Sequence, residues 1–248
     1  MQSQFSLNHI AGILEGLEET IIYQLCNRAQ FKYNETIYQK GKSGFKNNPE
    51  SLFAIRLRYQ EEMDARFGRY QVPEERPFNK DLPAPERDAP PLVSGLALSD
   101  INLIDLTPDI LSGYQELVKK ICLSGDDGHY GSSVEFDVYS LQAISRRVHF
   151  GALYVAENKY SSDPETYTKL IREGNTAKIN NQLTRKEVEA NILRRVADKV
   201  EQLQANINHK VRIAVAPEII LNYYKNVIIP LTKKGEIKYL LNRKLTDN

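Results

Sequence analysis

The chain has no tryptophan, two cysteines, two methionines and almost no excess charge of either sign. Each scarcity excludes something. Lys and Arg number 33 against 32 Asp and Glu, so there is no global field to gather a polyanion, and nucleic-acid binding is not expected. No stretch of about 18 apolar residues occurs, which argues against a membrane-spanning helix. The opening MQSQFSLNHI lacks the basic flank and apolar run of a secretion signal, so a cytoplasmic protein is expected. Cys26 and Cys122 each sit in an apolar helical pattern and read as reduced core residues, not as a disulfide framework. His9, His129, His149 and His209 have no carboxylate or cysteine partner at ligand spacing, so no metal is expected. Strand signals are scarce as well. The best run, residues 211–215, is too short to build a sheet alone.

What is present is helical periodicity over 248 residues that are 41% hydrophobic and 26% charged. Leu7, Ile10, Leu14, Leu17, Ile21 and Leu25 recur at steps of three and four, which predicts a helix over residues 5 to about 34. A polar, glycine-bearing segment follows, then a second helix over about 51–69. Residues 72–93 hold much of the proline, which fixes φ and removes donors, and so predict extended loop. Asp105 or Thr107 with Pro108 opens the next helix, which ends before Ser124. A long helix is expected over about 134–160, punctuated by Gly151, and Asp163-Pro164 begins a short one. Thr184, with Glu187 three residues on, reads as the capping box of a helix running to about 206. The last helix starts at Pro217 and runs towards Arg243, kinked at Pro230, with Ile220, Tyr224, Val227, Leu231, Leu240 and Leu241 facing inward. This is an all-α chain, read as a single domain over 1–248.

Motifs for familiar chemistry fail. Gly41-Lys42-Ser43 resembles the end of a phosphate loop, but that motif needs a glycine where Thr36 stands and a strand in front. There is no Gly-x-Ser-x-Gly elbow. What remains is polar groups beside apolar stripes. Thr232 and Glu236 project from one side of the last helix, Arg185 and Glu189 share a face, and Arg147 borders the stripe of Leu141, Ile144 and Val148 on a helix that Lys159 ends. Taken alone these describe a helical bundle with room for an anionic ligand.

The segment SLQAISRRVHFGALYVAENKYSSDPETYTKLI at 140–171 closely resembles one in eukaryotic-type chorismate mutases of fungi and plants. VIIPLTKKGEIKYLLNRK at 227–244 resembles that family's ending, LEETIIYQLCNRAQFKYN at 17–34 its first helix, and YGSSVEFD at 130–137 the loop before its long helix. The resemblance implies an all-helical homodimer that converts chorismate to prephenate without a cofactor. It implies that Arg147 clamps a substrate carboxylate, Lys159 donates to the ether oxygen and a carboxylate, Glu189 binds the ring hydroxyl and Thr232 supports a carboxylate. Glu236 then donates to the ether oxygen while protonated, which calls for a raised pKa.

The chain departs from the family in three respects. Ala11 stands where the resemblance implies an arginine that binds the second carboxylate; losing such a contact costs about 2–5 kcal/mol. Arg185, one turn before Glu189, is the candidate to substitute. Arg147 and Lys159 are twelve residues apart, one more than the family uses. At about 100° per residue this leaves them roughly 120° apart, so a π-bulge near residues 151–154 is expected to absorb the extra residue. For an aromatic effector site, Gly131, Ser132 and Arg69 match, but Gly68 and Ala216 do not, and a weak or absent response is expected. A related helical enzyme, such as an isochorismate pyruvate lyase, and a non-catalytic homologue stay open as alternatives.

Overall fold

The computed structural model describes residues 6–88, 90, 94–205 and 207–245. Ser6 accepts the amide of His9 and starts α1, Leu7–Arg28, whose Ile10, Leu17, Ile21 and Leu25 are buried. The helix ends six residues before the sequence suggests. The cause is Arg28, which is fully buried: Nε donates to Asp137 at 2.6 Å while the other nitrogens donate to the carbonyls of Phe31, Lys32 and Tyr33. Those carbonyls belong to an irregular turn that an arginine, not a helix, satisfies. Ser51 caps α2, Leu52–Arg66, and Gly68, at φ 81, turns the chain away. The proline-rich stretch carries no helix among its described residues. The buried carboxylate of Glu61 pins it by accepting the amides of Phe78 and Asn79.

Pro108 lies in the first turn of α3, Thr107–Ile121. The long helix α4 spans Tyr130–Phe150 and starts about a turn earlier than expected, so Gly131 and Ser132 lie in its first turn and not in a loop. Asn34 and Ser133 lock this end together at 3.0 Å. A π-turn, Gly151–Val155, follows without interruption and leads into α5, Ala156–Ser162. The bulge anticipated from the twelve-residue spacing is there.

Asp163 caps α6, Pro164–Glu173, and Asn175 caps α7, Thr176–Leu183, a helix that the sequence reading passed over. Next is α8, Lys186–Ala205. Thr184 is not its capping box: the Thr184 hydroxyl donates backwards to the carbonyl of Asn180 at 2.7 Å and closes α7 instead. Residue 206 lies outside the described residues. No strand forms at 211–215. Gln30 and Gln204 stand in for neighbouring strands, each bonding both the N–H and the C=O of one residue, Ile213 and Val215 respectively.

The last helix is built as α9, Pro217–Tyr223, a second π-turn, Tyr224–Ile228, and α10, Ile229–Asn242. Pro230 has no N–H to continue the α-helical ladder, which accounts for the irregular turn just before it. The added residue rotates the apolar face, so Ile220, Tyr224 and Leu240 are buried while Leu241 is exposed.

The helices share one core, with α4 central between α1, α2 and α10. Both cysteines lie in it as free thiols; burial pushes Cys26 up to about 11 and Cys122 up to about 12. His149 is buried too. Burial lowers it to about 4, and its Nε2 accepts the amide of Leu106 while Nδ1 donates to the carbonyl of Ser145. The C-terminal residues are fastened to α5: Arg243 donates twice to Glu157, both at 2.8 Å, and its guanidinium lies 3.4 Å over the ring of Tyr160.

Candidate active site

The last turn of α4 delivers Arg147, which is 2% exposed. Its Nη1 lies 3.4 Å from Thr232 Oγ1 and its Nη2 3.7 Å from Glu18 Oε1, while Nε has no partner among the described residues. Thr232 is on α10 and donates to the carbonyl of Ile228 at 2.8 Å, so its oxygen is oriented to accept from Arg147. This close approach depends on Gly151. A Cβ there would lie 2.8 Å from Thr232 Cγ2 and 3.2 Å from Arg147 Nη1.

One turn further along α10, Glu236 is buried. Lys159, beyond the π-turn on α5, donates to Glu236 Oε2 at 2.8 Å and to the carbonyl of Leu183 at 3.1 Å. Burial raises the Glu236 carboxyl above the ordinary carboxylate range, outweighing the pull of Lys159, Lys233 and Arg147 in the other direction. Even when protonated, its carbonyl oxygen still accepts from Lys159 and its hydroxyl is left to donate. Arg147 and Lys159, on either side of the π-turn, both act on this one carboxyl, Lys159 by a direct bond and Arg147 by its charge.

Glu189, in the first turn of α8, is linked to this group through Lys233, which donates to it at 2.7 Å. Arg147, Thr232, Lys159 and Glu236 thus form one buried cluster, and Glu189 joins at its edge. A cleft of about 560 Å³ runs along α10 and is lined by Glu189, Lys225, Lys233 and Lys238; Arg147, Thr232 and Glu236 do not line it. Arg185 precedes α8 and is exposed, with no hydrogen bond or ion pair joining its side chain to the cluster among the described residues, and Ala11 is exposed on α1.

The effector candidates are scattered. Arg69 is held by Asp64 at 2.9 Å, Glu75 at 3.0 Å and Gln142 at 2.7 Å. Gln142 is ten residues along α4 from Ser132, about 15 Å at the helical rise, and Ala216 caps α9 elsewhere.

Sequence reasoning missed four contributors. Glu18 is fully buried, held bidentately by Arg195 at 2.8 Å and approached by Lys199 at 3.6 Å. Tyr224 is buried beside Arg147 with an unpartnered hydroxyl. Lys233 and Gly151 complete the set. Only the apolar flanks of Glu18 marked it, since a buried carboxylate in a helical stripe reads as a surface position until its cations are located. Among the described residues, no group of three or more His, Cys, Asp or Glu is arranged to hold a metal. No helix among them is long and apolar enough to cross a membrane.

A buried arginine, a lysine and a raised carboxyl around one helix suit an anion whose charge shifts during reaction. No family model matches the chain. Individual proteins do. It is 35% identical to the chorismate mutase of Schizosaccharomyces pombe, over 99% of both chains. It is also 35% identical to chorismate mutase 2 of Petunia hybrida, over 97% of this chain and 94% of the other. The crystal structure of the chorismate mutase of Candida albicans in complex with L-Trp superposes with a TM-score of 0.89 at 36% identity, over 96% of this chain and 91% of that one. The chloroplast chorismate mutase of Zea mays gives a TM-score of 0.85 at 33% identity, over 97% of this chain and 96% of the other.

Proposed function

The chain belongs to the chorismate mutase family and is an isomerase that turns chorismate into prephenate; on that premise we propose that the Arg147–Thr232–Lys159–Glu236 cluster, with Glu189 at its edge, is the site of the rearrangement. The observation that carries the assignment is the raised, buried carboxyl of Glu236 bonded to Lys159 beside Arg147.

The reaction is a concerted [3,3] shift. A carbon–oxygen bond breaks as a carbon–carbon bond forms, and neither a nucleophile nor a net proton transfer is needed. The protein's task is to hold a dicarboxylate in a compact chair and to stabilise negative charge growing on the ether oxygen. Arg147, steadied by Thr232, meets one carboxylate with its free edge, which includes the unpartnered Nε. Lys159 and the protonated Glu236 donate to the ether oxygen. Glu189, swinging between Lys233 and the substrate, takes the ring hydroxyl. Arg147, Lys159 and Glu236 are in place before the charge appears, so little reorganisation opposes the reaction.

The protein works as one cytoplasmic domain in a homodimer. Supporting the dimer is an exposed apolar stripe of Tyr59 and Met63 on α2 and Phe67 just past its end, four residues apart, with Tyr23 of α1 also exposed. The engagement of Arg69 by Asp64, Glu75 and Gln142 supports a weak response to aromatic amino acids, in contrast to relatives crystallised with L-Trp, phenylalanine or tyrosine.

The test is direct. Purified protein is expected to convert chorismate to prephenate, and Arg147→Ala to lower kcat/KM by about 1,000-fold. Release of salicylate and pyruvate from isochorismate, with no prephenate from chorismate, would overturn the reading.

A further inference from the structure

Gly151 and Gly235 both lie where α10 meets the first π-turn. Gly151 lets Arg147 approach Thr232; the need for Gly235, in the middle of α10, is of another kind. Its φ lies outside the left-handed region, so backbone conformation does not call for glycine there. Inside a helix glycine is less stable than alanine, so helix propensity argues against it too. What calls for it is space. A Cβ at residue 235 would lie 2.4 Å from Ala152 Cβ in the π-turn and 2.9 Å from Leu106 Cδ1. Leu106 can turn the end of its side chain aside. Ala152, which is fully buried, has no rotamer to change and would have to take the backbone of the π-turn with it.

We infer that Gly235 is a positioning residue for the rearrangement: it lets Ala152 seat directly against α10 and thereby holds Glu236 within reach of Lys159. The inference rests on the mutase site proposed above and deepens it by naming what sets one of its distances. Ala152 belongs to the π-turn that runs without a break into α5, which carries Lys159, and Gly235 is the chain neighbour of Glu236. A separation imposed at the first pair is therefore carried to the second. The seam is also fixed on both sides of Gly235. One turn before it, Thr232 packs over Gly151, where a Cβ would lie 2.8 Å from Thr232 Cγ2. One turn after it, Tyr239 donates to Glu157 at 2.5 Å and accepts the amide of Ala97 at 3.1 Å. With both ends held, α10 cannot slide along α5 to make room; it has to move away. Carbon atoms in contact stay about 3.5–4.0 Å apart, so a methyl at residue 235 demands about 1 Å or more of extra separation. The Lys159–Glu236 bond is 2.8 Å, and the same ammonium is tied to the carbonyl of Leu183 at 3.1 Å, which leaves it little slack to follow.

The test moves one methyl group. Helix propensity alone makes Gly235→Ala favourable, whereas the seam makes it costly. Gly235→Ala is expected to lower kcat for prephenate formation by about 10- to 100-fold, with KM changed by less than about threefold because Arg147 still meets its carboxylate. Combining it with Ala152→Gly carries the methyl to the other side of the seam. The added Cβ then lies 3.7 Å from the Cα of residue 152, an ordinary contact, and Leu106 gives way at its flexible end. This pair is expected to recover kcat to within about threefold of the parent. In a Lys159→Gln background, Gly235→Ala should cost less than about twofold, because the bond it disturbs is already gone. Circular dichroism and Tm accompany each variant, and where Gly235→Ala alone does not fold, the combined variant decides. A folded Gly235→Ala protein that loses Tm but keeps the parent's kcat overturns the inference. So does a combined variant that fails to fold or folds without regaining turnover, or an undiminished penalty for Gly235→Ala in the Lys159→Gln background. Each of these leaves the site assignment standing. A Lys159→Gln chain that forms prephenate as fast as the parent overturns the site assignment itself, and the role of Gly235 falls with it.

Discussion

At the scale of single residues, the proposed chemistry turns on one proton. Burial keeps Glu236 protonated above the usual carboxylate range, so its donor is present at low pH and is lost as pH rises through the shifted value. The same sign governs its linkage to folding, because a proton held more tightly in the folded state stabilises that state most at low pH. Mutase activity is therefore expected to fall on the alkaline side. Glu236→Gln, which carries an N–H at every pH, should flatten the kcat/KM profile; a profile that still falls in the variant would remove Glu236 from the role. Residue types pointed to buried polar side chains where these sat beside an apolar stripe, as for Arg147, Thr232 and Glu236. They were silent for Glu18, whose burial is created by Arg195 and Lys199, cations 177 positions or more away in sequence. They were silent too for Gly151, whose requirement follows from two side chains on other turns and not from its own φ.

At the scale of elements, the helices were legible because a 3.6-residue period survives any register, and caps such as Ser51 and Pro108 act locally. What failed was whatever depends on a partner. Thr184 had two neighbouring helix ends to serve and the sequence does not say which, and the strand signal at 211–215 goes unpaired because the side chains of Gln30 and Gln204 take the backbone bonds of Ile213 and Val215. The π-turn at Gly151–Val155 was readable as arithmetic, since twelve steps between Arg147 and Lys159 face one carboxyl only if one residue is absorbed. This gives a sharp expectation. Deleting Ala152 should leave eleven regular steps, about 20° out of line, and measurable mutase activity. Adding one alanine after Leu153 should swing Lys159 off Glu236 and cut kcat/KM by about 100-fold or more, with circular dichroism still helical. Equal loss from both changes would mean that register is not what the bulge provides.

On the scale of the whole molecule, the surface of a chain of 28.4 kDa displays Tyr59 and Met63 along α2 and Phe67 at its end. Sedimentation is expected to give twice that mass, and Met63→Asp to shift the protein towards the single-chain value; a parent that sediments as a single chain would remove the dimer from the proposal. Micromolar tryptophan should change the activity of the protein by less than about twofold, because the guanidinium of Arg69 would have to abandon two carboxylates for an effector.

The clasp of Arg243 on Glu157 and Tyr160 has a consequence for handling the protein. Lys159 sits between the two residues that the clasp grips, so the chain's closing residues and the lysine assigned to the ether oxygen share one mechanical fate. Trimming by a carboxypeptidase as far as Leu240, or a bulky fusion joined at that end, would blunt turnover while most of the bundle stayed folded.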